Sequence, residues 1–357
     1  MTDSSNPADV TPYYQLNPDR VMDAVESLGF YCDGRIMALN SYENRVFQVG
    51  IEDEQPLIAK FYRPNRWSDA QILEEHQYSL ELAQAGMNVI APLLIDAPVS
   101  ASVDSGDQGS GEGQSPQRFD QSLHRFEEYR FALFPRKGGH APELDNEDHL
   151  FELGRFLGRM HSIGEIKPFQ YRPQLNVADY ARLGQQQVLE SGLLESFQSR
   201  YQALTDELLA ECDARLKQVD APLIRVQGDC HGGNMLWRDD ELMLLDFDDC
   251  RMAPAMQDIW MLLSGDKIQQ QQWLSEVVEG YEEYREFPRR ELALIEPLRT
   301  IRMIYYSGWL AQRREDPAFK AAFSHFGGEN WWQEHINSLE QQKALLAQPA
   351  IALNPYQ

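Results

Sequence analysis

Hydrophobic residues follow two different spacings along the chain, and the change between them divides it into two parts. In the first part, short β-branched and aromatic runs separated by turn residues predict strands. These runs lie at 36–39, 45–49, 57–62, 89–95 and 129–134. Apolar positions at helical spacing predict two helices in the same part, at 17–29 and 69–86. The pattern is typical of a small sheet accompanied by helices.

Beyond Pro135 the hydrophobic spacing becomes mainly helical, which predicts a lobe boundary there. The N-terminal lobe is then 1–135 and the C-terminal helical lobe is 136–357. The predicted helices of the second lobe lie at 146–163, 177–217, 255–264, 269–283, 289–314 and 329–347. Apolar runs at 223–226 and 242–245 interrupt these helices and predict the two strands of a small hairpin. The predicted fold class is α+β.

A low-complexity segment at 98–118, rich in Gly, Ser and acidic residues, lies between two predicted strands of the first lobe. Such a composition cannot bury enough apolar surface to offset the entropy lost on ordering. We expect this segment to be an insertion that forms the mobile tip of a hairpin.

Composition and charge narrow the classes of function. Of 357 residues, 43% are hydrophobic and 25% are charged, and the formal net charge is −24. This acidic excess is the opposite of what nucleic acid or an anionic membrane requires, so neither is an expected partner. The chain shows no secretory signal, no run of transmembrane length and no C-x-x-C pair among its four cysteines. We therefore expect a cytoplasmic location.

Three polar residues carry the candidate chemistry. Asp229 and Asn234 lie five positions apart, and Asp246 directly follows the apolar run at 242–245. A carboxylate can accept the proton of an attacking hydroxyl, while an amide oxygen and a second carboxylate suit the hard cation Mg²⁺. The set therefore indicates phosphoryl transfer from a magnesium-bound nucleotide. The alternative is an Asx-rich turn between strands, since turns favour the same residue types.

Two features of the first lobe complement this motif. Ser41 lies in a polar turn at 40–44, where its hydroxyl and backbone N–H groups can contact phosphates; an ordinary hairpin turn is the alternative. Lys60 lies inside an apolar run, and an inward-facing lysine needs a partner. Glu75 on the next helix is the predicted partner, with Glu74 as the neighbouring candidate; the alternative is an outward-facing Lys60. Kinases use such a Lys–Glu pair against nucleotide phosphates.

The order of the motifs along the chain resembles that of the aminoglycoside phosphotransferase and choline kinase group of protein-kinase-like folds. These motifs are Lys60, Glu75, the hinge-like Phe134-Pro135, Gly228-Asp-x-x-x-x-Asn234 and Asp246-x-Asp248. Over about residues 15–345 the chain is more closely similar to the bacterial stress response kinase A family, also called YihE or RdoA. The stretches that carry this similarity are 39–46 (LNSYENRV), 59–64 (AKFYRP), 71–76 (QILEEH), 228–234 (GDCHGGN) and 254–263 (PAMQDIWMLL).

The resemblance implies a two-lobed kinase-like fold with a small antiparallel sheet in the N-lobe and a mainly helical C-lobe. It implies an ATP- and Mg²⁺-dependent serine/threonine protein kinase of the stress response, cytoplasmic and monomeric. By motif match, Asp229 would accept the proton, Asn234 and Asp246 would bind Mg²⁺, and Asp246 would also assist catalysis. The residues that would bind the nucleotide are Ser41, Lys60, Glu75 and Phe134.

Two further positions can be compared with the family pattern: one matches it and one departs from it. Asp258 resembles the acid that braces the catalytic loop from the following helix. Gln227 departs from the pattern, because the wider group usually has His before Gly-Asp.

The acceptor of the phosphoryl group is less strongly indicated than the reaction. Only eleven residues separate Asp246 from Asp258, which leaves no room for the long activation segment of eukaryotic protein kinases. Small-molecule kinases share this absence, so a kinase of an amino alcohol or aminoglycoside-like substrate is the alternative to a protein kinase. A nucleotide-binding module without chemistry is a further alternative, which the intact set Asp229, Asn234 and Asp246 argues against.

Overall fold

The chain divides into two compact units, Met1–Gly138 and Gly139–Gln357. The computed structural model describes Tyr13 and residues 15–39, 41–96, 120–323 and 325–353. The segment predicted to form a mobile hairpin tip, 98–118, lies outside the described residues, as does Asn40 of the 40–44 turn.

The first unit is built on a five-stranded antiparallel sheet in the order β1-β2-β3-β5-β4. The strands are β1 Cys32–Leu39, β2 Arg45–Ile51, β3 Leu57–Phe61, β4 His124–Phe126 and β5 Tyr129–Pro135. Lys60 lies on β3 and is paired in register with Val46 on one side and Ala132 on the other. The site lysine therefore lies on the central strand of the sheet.

Two helices accompany this sheet, and both begin at a side-chain cap. Pro18–Glu26 starts after Asn17, whose side chain accepts a hydrogen bond from the Arg20 N–H. Asp69–Gln84 starts with a capping box formed by Ser68 and Gln71. The first helix packs its apolar side, including Val21 and Val25, onto the hydrophobic core of the sheet. Caps and apolar spacing together explain why both helices were predicted.

The prediction of a strand at 89–95 was wrong. This segment is extended but irregular: Leu93 N donates to Leu133 O of the sheet at 2.7 Å, while Ile95 N donates at 2.9 Å to Gln121 O in the turn Asp120–Ser122. Pro92 lies directly before Leu93 and has no N–H to donate. The strand β4 was not predicted, because it is only three residues long and includes a charged, exposed position.

The second unit is mainly helical, and two of its long helices cross closely. Glycines allow this approach: Gly154 and Gly158 on Glu147–Gly164 face the backbone of Lys267–Tyr281, and Gly280 faces the backbone of the first helix. A Cβ atom at any of these positions would overlap main-chain atoms of the other helix. The other long helices are Leu183–Glu190, Gln198–Val219, Ile295–Arg313 and Glu329–Leu346.

Several predicted helices of the second unit are divided or shortened. The single helix predicted at 177–217 is wrong: a π-helical turn at Val177–Arg182 leads into Leu183–Glu190, and Gly192, with φ +72°, ends that helix. The helix predicted at 255–264 consists of Met256–Ile259 followed by a 3₁₀ turn, and the one predicted at 289–314 begins with a 3₁₀ turn before Ile295. A short helix at Pro317–Ala322 was not predicted.

The predicted hairpin of the motif region is also wrong in its pairing. The strands are β6 Ile224–Val226, β7 Met235–Arg238, β8 Glu241–Leu244 and β9 Arg251–Ala253. β6 pairs with β9, and β7 pairs with β8, so the two apolar runs belong to different two-stranded sheets. The predicted α+β class is confirmed. Hydropathy along the described helices falls short of what a membrane-spanning segment requires.

Candidate active site

A loop between β6 and β7 carries Asp229 and Asn234, and its backbone is closely determined. Gly228 has φ +86°, and a Cβ atom there would overlap the carbonyl oxygen of Asp249, so only glycine fits. The N–H of His231 donates to Asp229 O, and the N–H of Asn234 donates to His231 O, both at 2.9 Å. The Asn234 side-chain amide donates to Asp229 O at 3.0 Å. These bonds make 229–234 a compact turn with both functional side chains on it.

Asp229 lies among cationic and polar neighbours. Its Oδ1 is 2.5 Å from Nη2 of Arg302, and its Oδ2 is 3.5 Å from Nε2 of His231. Burial acts to raise the pKa of Asp229, but the His231 hydrogen bond and the charges of Arg302 and Arg251 outweigh it, and the pKa is lowered. Oδ1 accepts no hydrogen bond from any described residue. Asp229 is thus an ionised carboxylate whose Oδ1 is ion-paired with Arg302 and whose Oδ2 faces His231.

Asp258 supports this loop from the helix Met256–Ile259. Its side chain is fully buried and accepts hydrogen bonds from the N–H of Gly228 (2.7 Å) and the N–H of Gln227 (2.9 Å). Its Oδ2 also lies 3.2 Å from Nε2 of buried His161, whose Nδ1 is hydrogen bonded to the Tyr281 hydroxyl at 2.9 Å. His161 and Tyr281 lie on the two closely crossing helices, so the loop is anchored to the core of the unit.

The side-chain amide of Gln227, which replaces the usual His, forms hydrogen bonds through both its oxygen and its nitrogen. Gln227 is fully buried, its Oε1 accepts from the N–H of Asp229 at 2.8 Å, and its Nε2 donates to Asp246 O at 2.6 Å. The departure from the family pattern therefore leaves the loop internally bonded.

Asn234 and Asp246 offer oxygen atoms suited to a divalent cation. Because the Asn234 NH₂ group donates to Asp229 O, its carbonyl oxygen is the side-chain atom left to bind a metal. The N–H of Leu245 donates to Asn234 O at 3.0 Å, which ties the two segments together, and Asp246 is exposed. No group of three His, Cys, Asp or Glu side chains forms a metal cage within the described residues. One carboxylate with an amide oxygen fits Mg²⁺, which is usually held together with substrate phosphates and water.

The predicted Lys60–Glu75 pair is present in the first unit. Nζ of Lys60 lies 3.3 Å from Oε1 of Glu75, and both side chains are buried. Nζ also lies 5.1 Å from the centre of the Tyr62 ring, whose hydroxyl is hydrogen bonded to His76 Nε2 at 2.6 Å. The pair is therefore held within a buried, polar and aromatic environment.

The other two residues predicted to bind nucleotide lie in the same unit. The Ser41 hydroxyl donates to Asn44 O at 3.2 Å and closes its own turn, which Arg63 holds through hydrogen bonds to Glu43 O and Tyr42 O. Phe134 is half-buried on β5, with its ring edge-on to His76 at 6.2 Å. The nucleotide-binding roles of Ser41, Lys60, Glu75 and Phe134 stay predictions.

Two site neighbours were missed at the level of sequence. Arg302 lies on Ile295–Arg313, more than seventy positions after Asp229, and no local motif marks it. His161 is a histidine at a core position of a predicted helix, which was the available signal. Both reach the loop only through the packing of distant helices.

Glu291 contacts the start of the helix that carries Asp258, and its buried carboxyl group makes this contact testable through pH. It is buried and accepts a hydrogen bond from the N–H of Met256 at 2.9 Å, and burial raises its pKa from 4.5 to about 7. Since the folded pKa is the higher one, stability from this group is complete below pH 4.5 and is lost as pH rises through about 7. The loss is on the order of 3 kcal/mol. We expect Glu291→Gln, measured by urea unfolding, to match wild type at pH 5 and to be more stable at pH 8.

The matched control for this prediction is exposed Glu286, close to Glu291 in sequence. Glu286→Gln should leave the difference in unfolding free energy between pH 5 and pH 8 as in wild type. An unchanged pH difference in Glu291→Gln would contradict the prediction.

Comparisons with known proteins identify the family of the chain. The model of the phosphotransferase enzyme family (APH) matches residues 35–294. The chain is 40% identical over 347 residues to "Serine/threonine protein kinase RdoA" of Salmonella typhimurium strain LT2, covering 96% of this chain and 97% of that one. It is 38% identical over 344 residues to "Stress response kinase A" of Escherichia coli strain K12, with the same coverages.

Solved structures with the same fold are more distant in sequence. An amicoumacin kinase in complex with AMP-PNP, Ca²⁺ and its ligand has a TM-score of 0.65 at 20% identity, covering 90% of this chain and 93% of that one. A microcompartment-associated aminopropanol kinase has a TM-score of 0.62 at 18% identity, covering 91% and 96%. The predicted protein-kinase-like fold is confirmed. The chain belongs to the phosphotransferase enzyme family and, within it, to the stress response kinase A (RdoA) family.

Proposed function

We propose that this kinase transfers the γ-phosphoryl group of ATP to a serine or threonine hydroxyl of a protein, in a Mg²⁺-dependent reaction that acts in the stress response. The observation that carries the proposal is the ionised Asp229, which is held by the loop 228–234 and is ion-paired with Arg302. Following the resemblance, we also infer a cytoplasmic monomer with neither nucleic acid nor membrane as partner.

The proton of the acceptor hydroxyl would pass to Asp229. The charge of Arg302 favours the ionised carboxylate, so Asp229 is ready to accept a proton at neutral pH. The hydrogen bonds from Gly228 and Gln227 to Asp258 hold the loop, and therefore the carboxylate, in one orientation. Orientation contributes much of the catalysis of phosphoryl transfer, because little covalent chemistry falls to the protein.

Asn234 and Asp246 would hold the metal through the side-chain carbonyl oxygen of Asn234 and the exposed carboxylate of Asp246. When bound, Mg²⁺ supplies charge neutralisation at the phosphate oxygens of the nucleotide. The hydrogen bond between Leu245 N and Asn234 O keeps the two ligand segments together before a cation binds. Exposure of the Asp246 carboxylate leaves it accessible to such a cation.

Lys60 would contact the nucleotide phosphates, and Glu75 would hold its ammonium group in place. Burial of a lysine in the sheet is costly without such a partner. Ser41 would donate from the turn that Arg63 stabilises, and Phe134 would contact the base.

A protein acceptor is supported by relatives of 38–40% identity over 96% of the chain, whose names are serine/threonine protein kinase and stress response kinase. The more distant solved structures have titles that name small-molecule acceptors, amicoumacin and aminopropanol. An amino alcohol or aminoglycoside-like molecule is therefore the second candidate acceptor.

Incubation with labelled ATP and Mg²⁺ distinguishes the two acceptors. We expect label on serine and threonine of a generic protein acceptor, identified by phosphoamino-acid analysis, and none on a panel of amino alcohols and aminoglycosides. The Asp229→Asn protein, prepared identically, controls for a contaminating kinase. Label on the small molecules alone would exclude the protein-kinase proposal.

A further inference from the structure

The side chain of Gln227 connects the loop of the proton acceptor to the segment of the metal-binding carboxylate. Its Oε1 accepts from Asp229 N at 2.8 Å. Its Nε2 donates to Asp246 O at 2.6 Å and, more weakly, to Leu245 O at 3.4 Å. A primary amide suits this position, because it offers a neutral acceptor and a neutral donor on the same carbon.

The bond to Asp246 falls on a strained residue. Asp246 has φ +56°, in the left-handed region that non-glycine residues rarely adopt. Such conformations persist only when the surrounding structure determines them, and they cluster at functional sites. The Asp248 N–H also donates to Asp246 Oδ1, at the long distance of 3.4 Å. The short bond from Gln227 thus contributes strongly to the orientation of the Asp246 peptide.

The backbone of Gln227 is fixed from the opposite side. Its N–H donates to Asp258 Oδ2 at 2.9 Å, and its side chain is fully buried. Asp258 thus fixes the position of the Gln227 main chain. The Gln227 side-chain amide in turn fixes the positions of Asp229 N and Asp246 O.

We propose that Gln227 is a positioning residue that couples Asp229 to Asp246 and thereby sets the spacing between proton acceptor and metal-binding carboxylate. The inference depends on the roles of Asp229 and Asp246 in the proposed function. It also gives a reason why glutamine can stand where the wider group usually has histidine. A neutral imidazole likewise accepts at one ring nitrogen and donates from the other, so the two side chains can form the same pair of hydrogen bonds.

Three substitutions separate this role from simple packing. Gln227→Met keeps the length of the side chain but removes both hydrogen bonds. Gln227→Asn keeps the amide but is one methylene too short to reach both partners. Gln227→His restores a donor and an acceptor. Outer-shell partners of metal ligands typically contribute about 10–100-fold to activity or metal affinity. We expect losses of that size in kcat for the Met and Asn variants and a kcat nearer wild type for His.

The decisive readout does not depend on turnover. Mn²⁺ binding in the presence of AMP-PNP, followed by electron paramagnetic resonance, should weaken about 10–100-fold in Gln227→Met and Gln227→Asn. The melting temperature, followed by circular dichroism, reports folding. The control is Gln342→Met, which removes another buried amide whose Nε2 donates to Glu296 and which touches neither loop. It should lower the melting temperature without changing Mn²⁺ affinity.

Either of two results would overturn the proposal: kcat and Mn²⁺ affinity within twofold of wild type in a folded Met or Asn variant, or equal losses in the His and Met variants. If Gln227→Met does not fold, the Asn and His variants decide in the same way. An Asp229→Asn protein as active as wild type would instead overturn the assignment of Asp229. A normal Gln227→Met protein beside an inactive Asp229→Asn protein would overturn the coupling alone.

Discussion

Asp229→Asn is expected to lower kcat for phosphoryl transfer about 10²–10⁴-fold, the range typical for loss of a general base. The asparagine side chain has almost the same shape but cannot accept the hydroxyl proton. The side chains of the Arg302–Asp229 ion pair are 27% and 19% exposed, so its loss should lower the unfolding free energy by roughly 1–3 kcal/mol, between the values for exposed and buried pairs. Initial rates in a coupled ATP assay and urea unfolding measure the two effects.

The control for this substitution is Asp240→Asn, at an exposed position of the β7–β8 turn in the same unit. Its left-handed backbone, with φ +60°, is one that asparagine tolerates. This variant should keep the kcat of wild type. A kcat within tenfold of wild type in folded Asp229→Asn would show that another group accepts the proton.

Asp258→Ala is expected to have the largest effect on stability. Removal of this fully buried carboxylate leaves the N–H groups of Gln227 and Gly228 and the ring of His161 without their acceptor. Each buried polar group left unsatisfied costs about 1–3 kcal/mol, so the sum for the three groups is on the order of 3–9 kcal/mol. Since domains are usually stable by about 5–15 kcal/mol, this loss would bring the second unit close to unfolding.

Chemical unfolding monitored by tryptophan fluorescence measures this loss, with Asp213→Ala as the control. Asp213 is a helical residue whose side chain is 45% exposed and pairs with Lys217 at 2.6 Å, and such pairs contribute less than about 1 kcal/mol. An equal, small loss in both variants would mean that Asp258 does not support the loop. We also expect kcat to fall in Asp258→Ala under conditions where the protein is still folded, because the loop then loses its orientation.

The parts of the site that were predicted from sequence are those that depend on local chemistry. Asp229 and Asn234 lie on one short loop, and the burial of Lys60 within an apolar strand required an acid, which is Glu75. The pairing of β6 with β9 was not predicted, because two short apolar runs of similar character contain no information about which partner each will choose. Arg302 was missed for a related reason, since only helix packing brings it to Asp229.

The predictions of a helix at 177–217 and of a strand at 89–95 were wrong because of single residues that are visible in the sequence. Gly192 adopts a left-handed conformation and stops one helix, and Pro92 removes a donor from a segment with strand-like composition. In both regions the apolar spacing was given more weight than the single residue that interrupts it. The role of Gln227 was hidden in a different way, because its partners are main-chain atoms of two separate segments.

The glycine-mediated crossing of Glu147–Gly164 and Lys267–Tyr281 has a consequence for how this enzyme tolerates mutation. The contact is made by main chain against main chain, so it has no side chain that could adjust to absorb a change. His161 and Tyr281, which lead to Asp258 and the catalytic loop, are carried on these two helices. A substitution at the crossing should therefore displace the catalytic loop. Positions at the crossing are then as intolerant of substitution as the catalytic residues, although they lie far from the reaction centre.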